Sequence, residues 1–159
     1  MPVTGNTSTN AVLIIEDIIG RHFGGRFKRF MNGSIRRAEV RRGSFNLNIP
    51  IERRRFSKAV NCNYGLRANI KNLNQTYLIT WASRNITLKM DLIRLSDQTI
   101  IWTGTHSAVR SDGGIPTGLL SLALDTRNAG LFVSDPDGFE ALIEDVTRQL
   151  SKTFPLIIR

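Results

Sequence analysis

The sequence has little of the chemistry on which most enzymes depend. It contains one cysteine, Cys62, and two histidines, His22 and His106, among 159 residues. A single cysteine excludes an internal disulfide and a cysteine zinc cluster. A hydrolytic triad needs a nucleophile, a base and an acid that converge, and we interpret both histidines as structural. We expect no catalytic residue, no metal and no cofactor, and a small-ligand enzyme that uses His106 and Asp112 is a distant alternative.

Long apolar runs are also missing from the sequence. No stretch approaches the roughly 18 consecutive apolar residues that a bilayer-spanning helix needs. Residues 1–10 are small and polar, and they lack the basic start, apolar centre and cleavage site of a secretory signal. We therefore expect either a cytoplasmic protein or a chain whose targeting segment is not part of this sequence.

Acidic residues are scarce in one segment. Between Arg21 and Lys58 there are twelve Lys or Arg residues and only two acids, so this segment has a formal charge of +10, whereas the whole chain has +9 and the remaining residues total −1. Seven of its arginines are our candidates for contact with a partner or an anionic surface. They are Arg36, Arg37, Arg41, Arg42, Arg53, Arg54 and Arg55.

Three interpretations of these arginines stay open. With Phe27, Phe30 and Phe45 interleaved among them, they suit phosphate contacts beside stacked bases. They also suit contact with anionic lipid head groups. The third interpretation is a solvated face, or arginines paired with acids of a neighbouring subunit.

What the sequence does contain is a fold signal. Its length and its 41% apolar content fit one domain. We expect residues 1–10 to be loose and residues 11–159 to form a single α+β domain. Helical spacing predicts a first helix over residues 11–23, with Asn10 as its N-cap and Gly24 as its stop.

Two elements are predicted within the basic segment. Alternation of polar and apolar residues over 44–49 predicts a strand that ends at Pro50. Residues 51–60 are predicted to form a short helix with its arginines outside. Its inward residues would be Ile51, Phe56 and Val60.

Between Tyr64 and Arg110 a period-two apolar pattern persists over three consecutive segments, which predicts an antiparallel meander. A slip of the pattern at residues 93–95 indicates a β-bulge. The predicted strands lie within 64–71, 77–95 and 100–108, joined at 72–75 and 96–98.

The last part of the chain combines a loop with helices. Residues 111–118 are predicted to form a loop, in which Asp112, Gly113 and Gly114 are candidates for partner contact. A short helix is predicted over residues 119–129.

A longer amphipathic helix is predicted over residues 138–153. Asp137 and Glu140 have the spacing of a capping box at its start.

Two strings in the meander resemble a known family. The runs from Asn63 to Ile70 and from Leu92 to Gly104 are similar to the central hairpin of small bacterial envelope lipoproteins. These are of the CsgG, TolB amino-terminal-domain, LpoB and PelC type, and the resemblance spans about residues 53–155. It implies an antiparallel meander sheet with two to three helices packed on one face. The family's first strand would be absent or reduced to residues 1–10.

The resemblance also implies a function. It suggests a non-enzymatic accessory component of an envelope secretion, export or assembly complex, in the periplasm or at the outer membrane. Its expected partners are further copies of the chain and other envelope proteins, with an anionic lipid surface as an additional candidate. The rival hypothesis is a cytosolic module that binds RNA or single-stranded nucleic acid through the arginines of residues 26–55.

Overall fold

One mixed sheet and four helices make up the described part of the chain. The computed structural model describes residues 3–4, 9–78, 81–113 and 136–155. The elements are β1 (Val3–Thr4), α1 (Thr9–Phe23), a 3-10 turn (Gly24–Arg26), α2 (Gly33–Arg42), α3 (Pro50–Val60), β2 (Tyr64–Leu78), β3 (Trp81–Arg94), β4 (Ile100–Gly113) and α4 (Pro136–Lys152).

The meander is present as predicted. The strand order is β1-β2-β3-β4, and β3 is antiparallel to both β2 and β4. The pairing of β3 with β4 shifts between Leu92 and Ile93, next to the predicted bulge. β1 pairs in parallel with β2, and Val3 lies opposite Ala68. The fourth strand therefore comes from residues 1–10, and the α+β class is confirmed.

Helices α1 and α4 cover one face of the sheet, as predicted. Alternate residues of β2 and β3, such as Ala68, Leu88 and Met90, are buried beneath them. On the strands every second residue is buried, and on the helices the buried residues recur about every 3.6 positions. These two apolar faces pack against each other in one continuous core. The helix residues in this core are Ile15, Ile18, Ile19 and Phe23 of α1 with Leu142, Ile143, Val146 and Leu150 of α4.

The strand predicted over residues 44–49 is wrong. These residues form turns between α2 and α3, and Asn46 Oδ1 accepts a hydrogen bond from the Asn48 backbone N–H at 3.0 Å. Phe45 instead packs edge-on against Phe56 with ring centroids 5.5 Å apart, and Leu47 is buried. The alternation thus comes from Phe45 and Leu47, two apolar side chains that anchor a turn. The Asx hydrogen bond holds this turn and competes with strand pairing.

Other boundaries also differ from the prediction. The connection predicted at residues 72–75 belongs to β2, which is paired with β3 as far as Leu78. Residues 111–113 lie in β4 rather than in a loop. Gly114 and the helix predicted over 119–129 lie outside the described residues.

The helices differ from the prediction in their caps and facing residues. Thr9 begins α1, so Asn10 lies inside it, and Asp137 lies in the first turn of α4 rather than before it. In α3, Ile51 is 56% exposed rather than inward, whereas Arg53 is half-buried. Sequence reasoning did not predict α2, because no residue of this helix is buried and no apolar face marks it.

Candidate functional site

Two of the candidate arginines bind an acid of the same chain. Asn32 Oδ1 caps α2 by accepting from the Ile35 backbone N–H at 2.9 Å, which sets α2 against α1. Arg36 Nη2 then donates to Glu16 Oε1 at 2.5 Å, and Arg37 Nη1 donates to Glu16 Oε2. The Glu16 side chain is 7% exposed. Arg36 and Arg37 therefore hold α2 to α1.

Two further arginines form pairs within their own helices. Arg42 lies 3.0 Å from Glu39 in α2, and Arg55 lies 2.7 Å from Glu52 in α3. Both guanidinium groups are mainly exposed, and exposed pairs at this spacing contribute only about 0.3–0.5 kcal/mol. Arg42 and Arg55 can therefore exchange these acids for a partner.

Arg53 is a half-buried cation that no carboxylate neutralises among the described residues. Its Nε donates to Gln98 Oε1 at 2.6 Å, and its Nη1 donates to the carbonyls of Leu47 and Asn48 at 3.2 and 3.3 Å. Burial lowers the pKa of the Arg53 guanidinium, and repulsion from Arg67 lowers it further. The group stays charged, because arginine in proteins does not deprotonate near neutral pH.

Arg41 and Arg54 are exposed and have no hydrogen bond or ion pair in the part of the chain that the structure describes. The same holds for Lys28 and Arg29 in the segment after the 3-10 turn. The seven predicted arginines thus do not form one cluster. They divide into residues that bind Glu16, exposed residues on two helices, and Arg53 alone.

The predicted loop contact and the histidines lie elsewhere. Asp112 and Gly113 pair with Ala82 and Trp81 at the end of β4, and Gly114 is outside the described residues. His106 is six residues from Asp112 on the same strand, about 20 Å away at the rise of a strand. These two residues are therefore too far apart to act on one substrate atom.

His22 contributes to packing between two helices. Its Nε2 lies 2.5 Å from Glu144 Oε2 of α4, and Arg21 Nη2 donates to the same carboxylate. Arg21 also contacts Glu140, the residue that we predicted to cap α4. Arg21 and His22 thus link α1 to α4 through Glu144.

A cavity of about 580 Å³ lies between α1, α2, α3 and the first half of β2. Its volume is typical of small-molecule sites, which range over roughly 300–1,000 Å³. Apolar side chains make up much of its wall, and Glu16, Lys28, Arg29, Arg36 and Arg53 are the charged residues that line it. Its principal apolar residues are Ile19, Phe27, Phe30, Leu47, Phe56 and Leu66.

The cavity was not predicted from the sequence. Its residues come from segments between Val3 and Leu95, so they share no local spacing. Only the run from Phe27 to Phe30, where two cations lie between two aromatic residues, is a local signal for it. Glu16 was also missed, because nothing near it in sequence identifies Arg36 and Arg37 as its partners.

The described residues contain neither a metal site nor a membrane-spanning helix. No group of three or more His, Cys, Asp or Glu residues in ranges 3–4, 9–78, 81–113 and 136–155 is arranged to hold a metal ion. Among the same residues, no helix has the length and apolar character to cross a membrane.

Comparison with known proteins shows that this chain is similar to several solved structures in its fold. No protein-family model and no curated protein matches the chain. The lipoprotein GNA1162 from Neisseria meningitidis is similar over 85% of this chain and 96% of its own, with a TM-score of 0.59 and 10% identity. The hypothetical protein CT253 from Chlamydia trachomatis is similar over 96% of this chain and 93% of its own, with a TM-score of 0.50 and 14% identity.

A PelC dodecamer from Paraburkholderia phytofirmans also matches, over 95% of this chain and 82% of its own, at a TM-score of 0.48 and 13% identity. All three identities are too low to carry a function from one protein to another. The likeness to the lipoprotein GNA1162 therefore shows that the chain has a fold found in a bacterial lipoprotein.

Proposed function

We propose that this protein is a non-enzymatic accessory component of a bacterial envelope secretion, export or assembly complex. It acts through oligomerisation and through contact with other envelope proteins, in the periplasm or at the outer membrane. The observation that carries the proposal is the fold, which matches 96% of the lipoprotein GNA1162 chain. The resemblance of the meander strings to envelope lipoproteins points to the same class independently of the fold.

The edge strand β4 is the surface that we assign to subunit contact. It is 14 residues long, and among the described elements only β3 pairs with it. A long edge with unpaired backbone groups is a template for pairing with another chain. Val109 and Ile100 on this strand are 62% and 50% exposed, so association would also bury apolar side chains.

The arginines support the rival nucleic-acid function less well. Arg36 and Arg37 are bound to a buried acid, and Arg53 faces the cavity. Nucleic acid would have to be held mainly by exposed cations such as Arg41 and Arg54, which lie on different helices. Three of the seven candidate arginines are therefore used inside the fold, and the four exposed ones are divided between α2 and α3.

Sedimentation velocity of the purified chain tests the proposal. We expect a mass above the 17.8 kDa monomer that falls towards the monomer on dilution and in the variant Val109→Lys. The matched control is Ile51→Lys, which places a lysine at an isoleucine of similar exposure on α3 and should leave the mass unchanged.

Cell fractionation supplies the second arm of the test. The proposal expects the protein in the envelope fraction of cells that produce it from its own gene. A strict monomer at all concentrations, together with a wholly cytosolic protein, would overturn it. Salt-sensitive binding to a single-stranded oligonucleotide in that case would favour the rival function.

A further inference from the structure

We propose that the cavity between α1, α2, α3 and β2 binds an acyl chain that carries an anionic head group. This ligand site goes beyond the proposed envelope role, which names no small molecule, and it does not depend on that role. Three observations lead to it: the apolar wall, the excess of positive charge, and a half-buried cation that has no carboxylate partner in the described part of the chain.

The wall of the cavity suits a hydrocarbon chain. Phe27, Phe56 and Leu66 line it from three different parts of the chain, and burial of each CH₂ of an alkyl chain against them is favourable. Apart from the charged residues, the polar side chains of the wall come from the α3–β2 connection and from Tyr64 at the start of β2, and Cys62 Sγ already donates to the Tyr64 carbonyl at 3.2 Å. A ligand with many hydrogen-bonding groups would leave them unpaired, whereas an alkyl chain has none to satisfy.

The charges at the cavity favour an anion. Among the residues that the structure describes, Lys28, Arg29, Arg36 and Arg53 line it, and Glu16 is the one acid that does so. Because Arg36 and a second arginine already share the Glu16 carboxylate, this acid cannot neutralise the other three cations. The cavity therefore has a positive potential that attracts a carboxylate or a phosphate.

Arg53 is the residue that we assign to the head group. Its guanidinium is half-buried and is held by neutral oxygens of Gln98, Leu47 and Asn48. A cation that is withdrawn from water without a counter-ion is costly, and repulsion from Arg67 adds to this cost. An anion in the cavity would offset both by accepting hydrogen bonds from Nη2, the one guanidinium nitrogen of Arg53 that has no partner among the described residues.

Where the cavity opens to solvent, exposed apolar residues lie beside cations, a combination that suits the entry of an amphiphile. Phe30 and Ile35 are 40% and 50% exposed there, although both are large apolar residues. Lys28 and Arg29 are exposed next to Phe30 and have no partner within the described ranges. Exposed apolar residues suit the hydrocarbon chain of an anionic lipid, and the unpaired cations beside them suit its head group.

Isothermal titration calorimetry on the full chain, stripped of bound lipid on a hydrophobic resin, tests the site. The probes are laurate, dodecyl phosphate and dodecylamine, which share one chain length and differ in head-group charge. We expect laurate and dodecyl phosphate to bind at least about tenfold more tightly than dodecylamine, because a charge-assisted hydrogen bond to Arg53 is gained or lost. Lysophosphatidylglycerol then separates a lipid source of the ligand from a free fatty acid.

Three variants and one control, Arg54→Gln, locate the binding. Arg53→Gln should weaken laurate binding about tenfold or more, whereas Arg54→Gln, its exposed neighbour outside the cavity, should not change it. Val60→Phe should reduce the binding of every probe, because it fills the cavity. The double variant Lys28→Gln, Arg29→Gln removes no described contact. It should weaken laurate binding even where Arg53→Gln proves too unstable to use.

Several outcomes would overturn the proposal. One is the absence of binding by all three probes, and another is equal affinity for laurate and dodecylamine. A third is a change of sedimentation coefficient in Val60→Phe while laurate binding is unaltered, which would identify the cavity as a protein-contact surface.

Discussion

Arg36 of α2 donates to Glu16 of α1 at 2.5 Å across 20 residues of sequence, and their side chains are only 12% and 7% exposed. The pair joins the basic segment to the helix that covers the sheet. A buried ion pair adds little net stability compared with well-packed apolar residues, but loss of one partner leaves a buried charge without a counter-ion. This asymmetry predicts what substitutions of Glu16 will do.

We expect Glu16→Ala to lower the free energy of unfolding by about 3–5 kcal/mol, because the guanidinium groups of Arg36 and Arg37 lose their acid. Urea denaturation measures this change. The control is Asp17→Ala, whose carboxylate is exposed and whose pair with Arg21 is 3.7 Å long, so the cost should be at most about 1 kcal/mol. The double variant Glu16→Met, Arg36→Met should recover much of the loss, and no recovery would contradict the charge argument.

Asp91 gives a prediction about acid stability. It lies on the sheet face opposite α1 and α4, yet it is 4% exposed. Arg67 Nη2 donates to its Oδ2 at 2.7 Å, and Thr103 Oγ1 donates to its Oδ1 at 2.8 Å. Burial alone would raise the pKa of the Asp91 carboxyl, but these hydrogen bonds and the charge of Lys89 outweigh it and hold the pKa below its ordinary value.

A folded-state pKa below the unfolded one stabilises the protein above the unfolded pKa, and this stability is lost as pH falls through the folded value. We therefore expect Asp91→Asn to lower the free energy of unfolding at pH 7 and to reduce its decline below about pH 4. Urea denaturation between pH 7 and pH 3 measures both effects. Asp97 and Asp145 have lowered pKa values too, so the wild-type curve minus the variant curve isolates Asp91. Parallel curves would contradict the assignment.

Elements that bury an apolar face were predictable from the sequence. The meander, α1 and α4 each show the periodicity of their burial, since Leu88, Met90 and Leu92 alternate inward and Leu142, Val146 and Leu150 repeat at helical spacing. Helix α2 buries no residue, so no such pattern could reveal it. The turns at 44–49 imitate a strand, because two anchoring side chains at an even spacing have the same pattern as a half-buried strand.

The partners of the arginines were not predictable for a different reason. Arg36 meets Glu16 only because α2 crosses α1, and Arg53 meets Gln98 only because α3 lies beside the β3–β4 turn. Contacts over 20 and 45 residues leave no mark in local composition. A charge cluster in sequence thus identified a basic segment, but it could not separate internal ion pairs from cations that face a cavity.

Gly104 on β4 predicts a steric effect. A Cβ at this position would lie 2.5 Å from Cζ2 of Trp102 and 2.8 Å from Cδ2 of Leu150. We expect Gly104→Ala to destabilise the protein by about 1–3 kcal/mol, because a rigid ring and a core leucine must move. The matched control is Gly25→Ala, where a Cβ meets nothing within 4 Å. Thermal unfolding of the two variants measures the difference, and equal melting temperatures would contradict this packing.

The Gly104 contact belongs to an aromatic cluster that fixes the end of α4 to the sheet. The rings of Trp102 and Phe154 meet edge to face with centroids 5.0 Å apart, and Phe23 meets Phe154 at 5.1 Å. Trp102 Nε1 also donates to the Thr153 carbonyl at 3.1 Å. Phe154, which is 3% exposed, is therefore the residue through which α1, β4 and the chain after α4 contact one another.

We expect Phe154→Ala to cost about 3–5 kcal/mol of unfolding free energy, through lost burial and a residual cavity. The variant should also shift tryptophan emission to longer wavelength, because water reaches the Trp102 ring. The control Phe30→Ala removes a ring that is 40% exposed and pairs only with Phe27 within the described ring contacts. It should cost about 1 kcal/mol or less and leave the emission unchanged. Unaltered emission in Phe154→Ala would show that Phe154 does not shield the Trp102 ring from water.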